Sequence, residues 1–454
     1  MQTQNSFFKN MLKLALPIAF QQLLVSCAQL IDTAMVTGLG NTEVSAVGVS
    51  SRWIFLMNLF YFGISSGSAA MIAQFWGAKE KGNIRKSYGI ALIFGFAVAA
   101  LFTSVMFFIP EQLAAIFTGS DKEQLPVIAA AADYMKIVAF MAPFAAFNQI
   151  SCVALRSTEK VNPPLYTSIA AVSLNTSLNY ILINGKLGLP ALGLKGAAIA
   201  TLTSTVVQAT LLFIVLRTSK DIYNAKFKEF FTLTKDFFRR FSVVCLPVVF
   251  NEVAWAIGTN IYSMVFARQG EEAFAGYTIF SSIEQIAFVF FVGICHACSI
   301  MTGKTIGEGN ESGAYKTAKK FVIMTPIIGI ITGSVLAFSR NPILSLLNIE
   351  TQTAFDIASS LILIYCLWLP FRNIPYTLIV GTFRAGGDTK IGIACDMISL
   401  YLLGAPVVAY LGLFADVEFK WLIVAMYLCE DIPKIAISLY RFKSKKWIRN
   451  LTDK

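Results

Sequence analysis

The sequence is poor in charge and lacks several of the short patterns that mark common catalytic centres. Of its 454 residues only 14% are charged, against about a quarter in soluble domains. It has one histidine, His296, no HExxH and no phosphate-binding loop, and its single GxSxG match (63–67) and single CxxC match (295–298) both fall inside long apolar runs. These absences predict that the chain is not an enzyme, holds no cofactor and does not hydrolyse ATP by itself.

Cysteine is also uninformative as a site signal. The eight cysteines are scattered, mostly inside apolar runs, so we interpret them as small core residues rather than as a disulfide framework or a metal site. The first residues, MQTQNSFFKN, lead directly into an apolar run without a small-residue cleavage site, so no cleavable signal peptide is predicted.

Apolar residues dominate what is present: 56% of the chain is hydrophobic, and the mean hydropathy is +0.65. A membrane-spanning helix needs about 20 apolar residues, and strands of a membrane barrel would be half as long and alternate in polarity. The pattern predicts an all-α integral membrane protein with twelve transmembrane helices, at 12–37, 44–74, 87–109, 127–154, 163–184, 194–217, 241–267, 274–303, 317–339, 356–383, 390–412 and 420–440.

Positive charge follows the predicted loops. With the amino terminus inside, every second loop is strongly basic, as at 79–86 and 316–320, whereas the loops between them carry few charges. Because basic loops stay on the cytoplasmic side, we expect a bacterial inner-membrane protein with both termini in the cytoplasm.

A polar segment divides the chain into an amino-terminal lobe, 1–218, and a carboxy-terminal lobe, 241–454, which ends in a short basic tail. The segment between them, 219–240, contains FKEFFTLTKDFFRRF, in which phenylalanines fall mostly at helical spacing among Lys and Arg. This pattern predicts an amphipathic linker helix on the inner leaflet. A docking site for a regulator is the alternative interpretation.

The two lobes repeat one another at an offset of 230 residues. Leu16-Pro17 recurs as Leu246-Pro247, and Gly63-Ile64 recurs as Gly293-Ile294; further matches join Gly40 to Gly270, Met71 to Met301, Gly77 to Gly307 and, with a slip of two residues, Arg156 to Arg384. Six spans is an even number, so the lobes should be parallel repeats related by a pseudo-two-fold axis along the membrane normal, with a substrate cavity between them.

Several local motifs resemble those of the multidrug and toxin extrusion (MATE) family. They include Pro17 followed by Asp32 in LIDTAMVTGLG, the run GLKGAAIAT ending at Thr201, Pro247 with Glu252 in PVVFNEVAWAIG, and FRAGGDTK. The similarity extends over nearly the whole chain. It implies a cation-coupled exporter of small organic compounds.

Polar residues inside the first lobe suggest an ion site. A charged side chain at the bilayer centre costs at least about 2.5–3.5 kcal/mol, and Asp32 is the one acidic residue of the first span. Asn175 and Asn179 share one helix face, and helix geometry places both, with Thr201, in the outer half of the membrane. Carboxylate, amide and hydroxyl oxygens suit a hard cation such as Na⁺, and the carboxylate can alternatively take a proton.

The resemblance implies that this same set, Asp32, Asn175, Asn179 and Thr201, binds the coupling ion. The alternative is that the asparagines only join neighbouring helices.

The second lobe has intramembrane acids of its own, Glu252, Glu284 and Asp396, which we treat as a candidate substrate or second cation site. The resemblance gives Glu252 a role in cation or substrate contact. Glu284 and Asp396 can instead neutralise the intramembrane arginines Arg52 and Arg372. Near the end of the chain, Glu430, Asp431 and Lys434 lie within one helix turn, and we interpret them as a local ion pair.

The leading functional hypothesis is therefore a secondary antiporter, expected to act as a monomer, that exports small organic compounds, often cations, while Na⁺ or H⁺ flows inward. The alternative is a flippase for a lipid-linked precursor with the same two-lobed architecture. A flippase should hold a pyrophosphate with cationic side chains, but here acids are at least as prominent as the two intramembrane arginines. Nucleic acid is not an expected partner, because the basic residues flank apolar spans.

Overall fold

The computed structural model describes residues 4–119, 121–218, 222–347, 349, 351–415 and 417–452, and within these ranges all regular structure is helical. Eight α-helices precede the linker: α1 (Gln4–Thr37), α2 (Asn41–Gly77), α3 (Lys81–Phe108), α4 (Pro110–Thr118), α5 (Leu125–Val138), α6 (Ala142–Ser157), α7 (Asn162–Asn184) and α8 (Gly193–Thr218). Eight more follow: α9 (Phe227–Phe230), α10 (Lys235–Ala267), α11 (Glu271–Gly307), α12 (Glu311–Leu346), α13 (Gln352–Tyr376), α14 (Lys390–Asp396), α15 (Ala405–Phe414) and α16 (Phe419–Lys443).

All twelve predicted spans fall on these helices. In the described part of the chain, ten helical segments are long and apolar enough to cross a membrane by length and composition. The two further long helices are α7 and α16, which carry Asn175 with Asn179 and Glu430 with Lys434, respectively. The helices with the most polar interiors are therefore the ones that fall below a purely apolar criterion.

Three of the spans are interrupted rather than straight. The fourth is made of α5, a 3₁₀ turn at Ala139–Met141 and α6. The tenth continues from α13 into a π-helical segment, Thr377–Phe383, after Pro370 and Pro375. The eleventh contains a second π-helical segment, Met397–Gly404, which begins directly after Asp396. The π-helical turns are wider than α-helical ones and are common at functional sites. Prolines promote them by removing backbone donors.

The linker differs from the predicted amphipathic helix. Residues 219–221 lie outside the described ranges. In the rest of the linker, helix is confined to one turn, Phe227–Phe230, and to the beginning of α10 at Lys235. Phe230 is buried against Tyr88, whereas Phe227 is exposed. The aromatic side chains of the linker therefore do not share a single face of one helix.

Clustering of contacts divides the chain into two compact units. Unit 1 comprises Met1–Ala19, Ala73–Lys79 and Leu246–Lys454; unit 2 comprises Phe20–Ile72 and Glu80–Cys245. Unit 1 therefore contains most of the predicted carboxy-terminal lobe together with the ends of α1 and α2. Unit 2 contains most of the predicted amino-terminal lobe together with the beginning of α10. The changes of unit fall within three residues of Pro17 in α1 and of Pro247 in α10. The lobe boundaries at 218 and 241 stay a prediction.

Each unit has its own apolar core. In unit 1 the core includes the fully buried side chains of Phe266, Phe280 and Tyr365 from α10, α11 and α13. In unit 2 it includes Tyr61 and Met135 from α2 and α5. Burial of this kind holds the helices of each unit in register and fixes the positions of the polar side chains described below.

Within unit 1, the inner ends of α2 and α11 pack in a reciprocal way. Gly77 lies against the backbone of Lys304, and Gly307 lies against the backbone of Gln74. These two contacts exchange under the offset of 230 residues, and Gly303 faces Ala73, its own repeat equivalent. Contacts that exchange equivalent residues are the mark of a two-fold axis. The repeat found in the sequence is thus visible at this crossing.

Candidate functional site

The predicted ion site is assembled in unit 2 around Asp32 of α1. Asn179 Nδ2 donates to Asp32 Oδ1 at 2.6 Å. With its amide nitrogen facing the carboxylate, Asn175 donates to both carboxylate oxygens, at 2.9 and 3.2 Å. Both asparagines are buried in α7, whereas Asp32 is partly exposed. The helical spacing thus brings both amides to one carboxylate, as predicted.

Thr201 lies at the edge of this group rather than in direct contact with the carboxylate. Its hydroxyl donates to the backbone oxygen of Ala197, one turn earlier in α8. Tyr134 of α5 lies near both Thr201 and Asp32 and is buried in the core of unit 2. Tyr134 was not among the predicted residues. No pattern in an otherwise apolar span distinguishes it from a core tyrosine.

The electrostatics of the site favour a monovalent cation. Among the described residues, no Lys, Arg or His forms an ion pair with Asp32, so its charge is balanced only by amide dipoles. Asn179 Oδ1 is buried and receives no hydrogen bond. A cation that approaches the carboxylate therefore finds a free amide oxygen beside it, and amides that rotate exchange N–H donors for oxygen ligands.

A second polar chain lies nearer the inner side of unit 2. Arg156 Nη2 donates to Gln21 Oε1 at 2.5 Å, and Gln21 Nε2 donates to Ser168 Oγ at 2.6 Å. Gln208 Nε2 also donates to Ser168 Oγ, at 3.0 Å. Arg156 lies at the end of α6 and is buried, with 6% of its surface exposed.

Two of the three predicted acids of unit 1 form ion pairs with arginine. The carboxylate of Glu252 pairs with the guanidinium of Arg384, and both side chains are nearly buried. Glu284 Oε1 lies 3.3 Å from Arg372 Nη2. The predicted neutralisation of Arg372 by Glu284 is therefore observed, whereas Arg52 instead lies over the ring of Phe117, 5.1 Å from its centroid.

The third acid, Asp396, pairs with Lys434. Lys434 Nζ lies 2.8 Å from Asp396 Oδ1 and 2.6 Å from Glu430 Oε1, so the ammonium bridges two carboxylates. Asn251 donates to the other oxygen of Asp396. The predicted pairing within α16 is present between Glu430 and Lys434, while Asp431 turns away and accepts a hydrogen bond from Trp368 Nε1 at 2.7 Å.

These acids do not converge on one centre. The side chain of Asn251 links Asp396 to Arg384, whose Nη2 lies 3.5 Å from Asn251 Oδ1, and so connects two ion pairs into one network. Glu284 belongs to a separate group around Arg372. Sequence reasoning missed the links to Asn251 and Lys434, because pairing between helices leaves no spacing signal in the chain.

Comparison with known proteins gives the family. The MatE family model matches the chain twice, over residues 17–181 and 247–410. The chain belongs to the MatE family. The two matches begin 230 residues apart, which is the offset of the internal repeat.

Relatives of this MatE protein cover almost its whole length at low identity. The uncharacterised transporter YisQ of Bacillus subtilis is 21% identical over 92% of this chain and 90% of its own. The probable multidrug resistance protein NorM of Thermotoga maritima is 23% identical over 91% and 90%. The probable multidrug resistance protein YoeA of Bacillus subtilis is 25% identical over 91% and 89%.

Solved structures show the same fold. A MATE protein in the bent conformation superposes with a TM-score of 0.86 at 19% identity, covering 97% of this chain and 96% of that one. A MOP superfamily transporter from Pyrococcus furiosus, described as having a binding pocket of reversed polarity, superposes with a TM-score of 0.85 at 19% identity, with 96% of both chains covered. The MatE protein is thus an all-α, two-lobed, multi-pass membrane protein.

The internal repeat of the MatE protein extends to its polar networks. Gln21, Ser168 and Gln208 in the first repeat correspond to Asn251, Asp396 and Lys434 in the second, with register slips of two and four residues in the later helices. The contacts correspond as well. In the first repeat Gln21 and Gln208 both donate to Ser168, and in the second Asn251 and Lys434 both donate to Asp396. The first network is uncharged at these three positions; the second holds an ion pair.

Proposed function

We propose that this MatE protein is a secondary antiporter that exports small organic compounds, often cationic, in exchange for inward Na⁺ or H⁺. The observation that carries the proposal is the environment of Asp32, a carboxylate balanced only by the amides of Asn175 and Asn179. A charge held in this way inside a membrane protein has a large unfavourable energy until a cation arrives. Relatives described as multidrug resistance proteins supply the substrate class.

Coupling follows if cation binding at Asp32 changes the balance between inward-open and outward-open forms. An ion drives transport only to the extent that it binds the two forms with different affinity. In the proposed cycle, a cation from outside replaces the amide donors at Asp32 as the substrate leaves to the outside, and the cation is released to the cytoplasm when the next substrate binds from that side. Asn175, Asn179 and Thr201 supply the additional oxygens.

The membrane arrangement is part of the proposal. Parallel lobes at 1–218 and 241–454, joined by the linker at 219–240, place both termini in the cytoplasm of a bacterial cell. The loop charges support this orientation. Action as a monomer is also proposed, because nothing in the predicted cycle requires a second copy.

The charge pattern speaks against the flippase alternative. A lipid-linked pyrophosphate needs free cationic side chains. Arg372 and Arg384 each contact carboxylates within the protein, at Glu284 and Glu252, so they are already neutralised. Arg156 contacts no acid among the described residues, but it is buried and its Nη2 already donates to Gln21 Oε1. An exported cation, in contrast, is compatible with an interior in which acids outnumber bases.

The proposal is tested in a drug-sensitive bacterial strain from which its own exporters have been deleted. The intact protein should raise resistance to cationic dyes, and Asp32→Asn should abolish the effect at equal protein level. Asp133→Asn is the matched control, because Asp133 of α5 is exposed and pairs with exposed Lys195. Full resistance with Asp32→Asn would refute the assigned role of Asp32.

A further inference from the structure

The buried carboxylates of the two units differ in what balances them. In unit 1, every acid of the polar networks contacts a cationic side chain of the chain itself: Glu252 contacts Arg384, Glu284 and Asp431 share Arg372, and Asp396 and Glu430 share Lys434. In unit 2, Asp32 contacts amides only. A dissolved cation therefore meets carboxylates that already have a cationic partner in unit 1, but a carboxylate bonded to amides in unit 2.

The group around Lys434 has the composition of a monovalent-cation site. Two carboxylates contact a single ammonium, and the three charged residues are each at most 8% exposed. Asn251 completes the group by donating to Asp396. A Lys ammonium is a compact monovalent charge on a flexible stem, so it fills the position in which a dissolved monovalent ion would otherwise neutralise Asp396 and Glu430.

The repeat shows that this ion pair is not required for helix packing. At the equivalent positions of unit 2, Gln208 and Ser168 join the same helices by a neutral hydrogen bond of 3.0 Å. Charge has therefore been added to, or retained in, only one of two otherwise matching contacts. A role beyond packing accounts for that difference.

We propose that Asp396, Glu430 and Asn251 form a monovalent-cation site whose cation is the chain's own Lys434 ammonium, so that the transporter takes its exchangeable cation at Asp32 alone. The second part of this statement rests on the proposed function; the first does not. A tethered cation is present at a high effective concentration, and dissolved Na⁺ must compete with it to enter. The acids of unit 1 then keep their own cationic partners through the cycle and take no ion from the gradient.

The test counts sodium ions bound to the full-length purified protein with radioactive Na⁺ at alkaline pH, where protons compete least. Lys434→Gln installs the residue of the equivalent position 208 and leaves Asp396 and Glu430 without their cation. We expect Lys434→Gln to bind one more Na⁺ per chain than the unaltered protein. That additional ion should remain when Asp32→Asn is combined with it. Lys434→Arg, which keeps a cation, should bind the same number as the unaltered protein.

A matched double variant separates charge from packing. Lys434→Gln with Asp396→Ser reproduces the pair found at 208 and 168, and it should bind fewer Na⁺ than Lys434→Gln alone. An unchanged sodium count in Lys434→Gln would overturn the inference while leaving the role of Asp32 intact. Absence of Na⁺ binding at Asp32, together with a gain in Lys434→Gln, would instead count against sodium coupling and support the tethered-cation site.

A folding defect in Lys434→Gln also decides the question. If the missing cation is the cause, sodium should restore the folded fraction, whereas N-methylglucamine chloride at the same ionic strength should not, because that cation is too large for the site. A defect that sodium does not correct would contradict the inference.

Discussion

Arg384 and Arg156 occupy equivalent positions in the two repeats but have different partners. Arg384 is paired with the carboxylate of Glu252, whereas Arg156 donates to the neutral amide of Gln21. Removing one member of a buried ion pair leaves an isolated charge, which is strongly destabilising. Removing a cation that has no acidic partner does not.

This difference predicts unequal effects of the same substitution. Arg384→Met should lower the free energy of unfolding by about 3–5 kcal/mol, because Glu252 is left buried and unpaired. Arg156→Met should cost clearly less, and Arg384→Met combined with Glu252→Gln should recover most of the loss. Thermal unfolding of the three variants in detergent measures these effects. Equal losses for the two single variants would contradict the assignment of partners.

At the residue scale, sequence reasoning succeeded where one helix carried the information. Asn175 and Asn179 are four residues apart, so a shared face followed from helix geometry, and the Glu430–Lys434 pair followed in the same way. It failed where two helices meet. The contact of Lys434 with Asp396 depends on how α14 and α16 pack, and the closeness of Tyr134 to Thr201 depends on how α5 and α8 pack. No spacing within one helix encodes either.

At the scale of helices, close packing depends on a few glycines. Gly307 of α11 lies against the backbone of Gln74, so that a Cβ at this position has no room. Gly48, in α2, has no atom within 4 Å of the position that its Cβ would take. The two glycines are therefore alike in secondary structure and opposite in surroundings.

Alanine at these positions should act in opposite directions. Gly307→Ala should destabilise the protein by about 1–3 kcal/mol, since neighbouring backbone cannot move aside without strain. Gly48→Ala should leave stability unchanged or raise it by up to about 1 kcal/mol through helix propensity. Melting temperatures in detergent provide the comparison, and a stable Gly307→Ala variant would show that α2 and α11 are not packed as described.

Helix boundaries were predictable to the extent that hydropathy marks them. The apolar runs located all twelve spans. The two π-helical segments, at Thr377–Phe383 and Met397–Gly404, were not predicted, because they arise from prolines and packing rather than from periodicity. The linker pattern was misleading for a related reason: Phe230 packs inward on Tyr88, a contact that removes it from any shared apolar face.

At the scale of the whole molecule, the excess of basic residues predicts which side of the membrane each loop faces. The net charge of +11 is concentrated in alternate loops and at the carboxy terminus. A green fluorescent protein fused after Lys454 should fluoresce in bacterial cells, because that fusion folds in the cytoplasm and not after export by the general secretion route. A dark fusion at normal expression would contradict the proposed placement of the termini.

We expect Asp32 to couple the inward flow of a cation to export of the substrate. Transport by the purified protein in lipid vesicles tests this coupling. The purified protein is reconstituted, a fluorescent organic cation is loaded, and Na⁺ and pH gradients are imposed separately. We expect at least one of the two gradients to drive efflux of the fluorescent cation through the unaltered protein, and neither gradient to drive it through Asp32→Asn. Gradient-driven efflux that survives Asp32→Asn at full rate would contradict it.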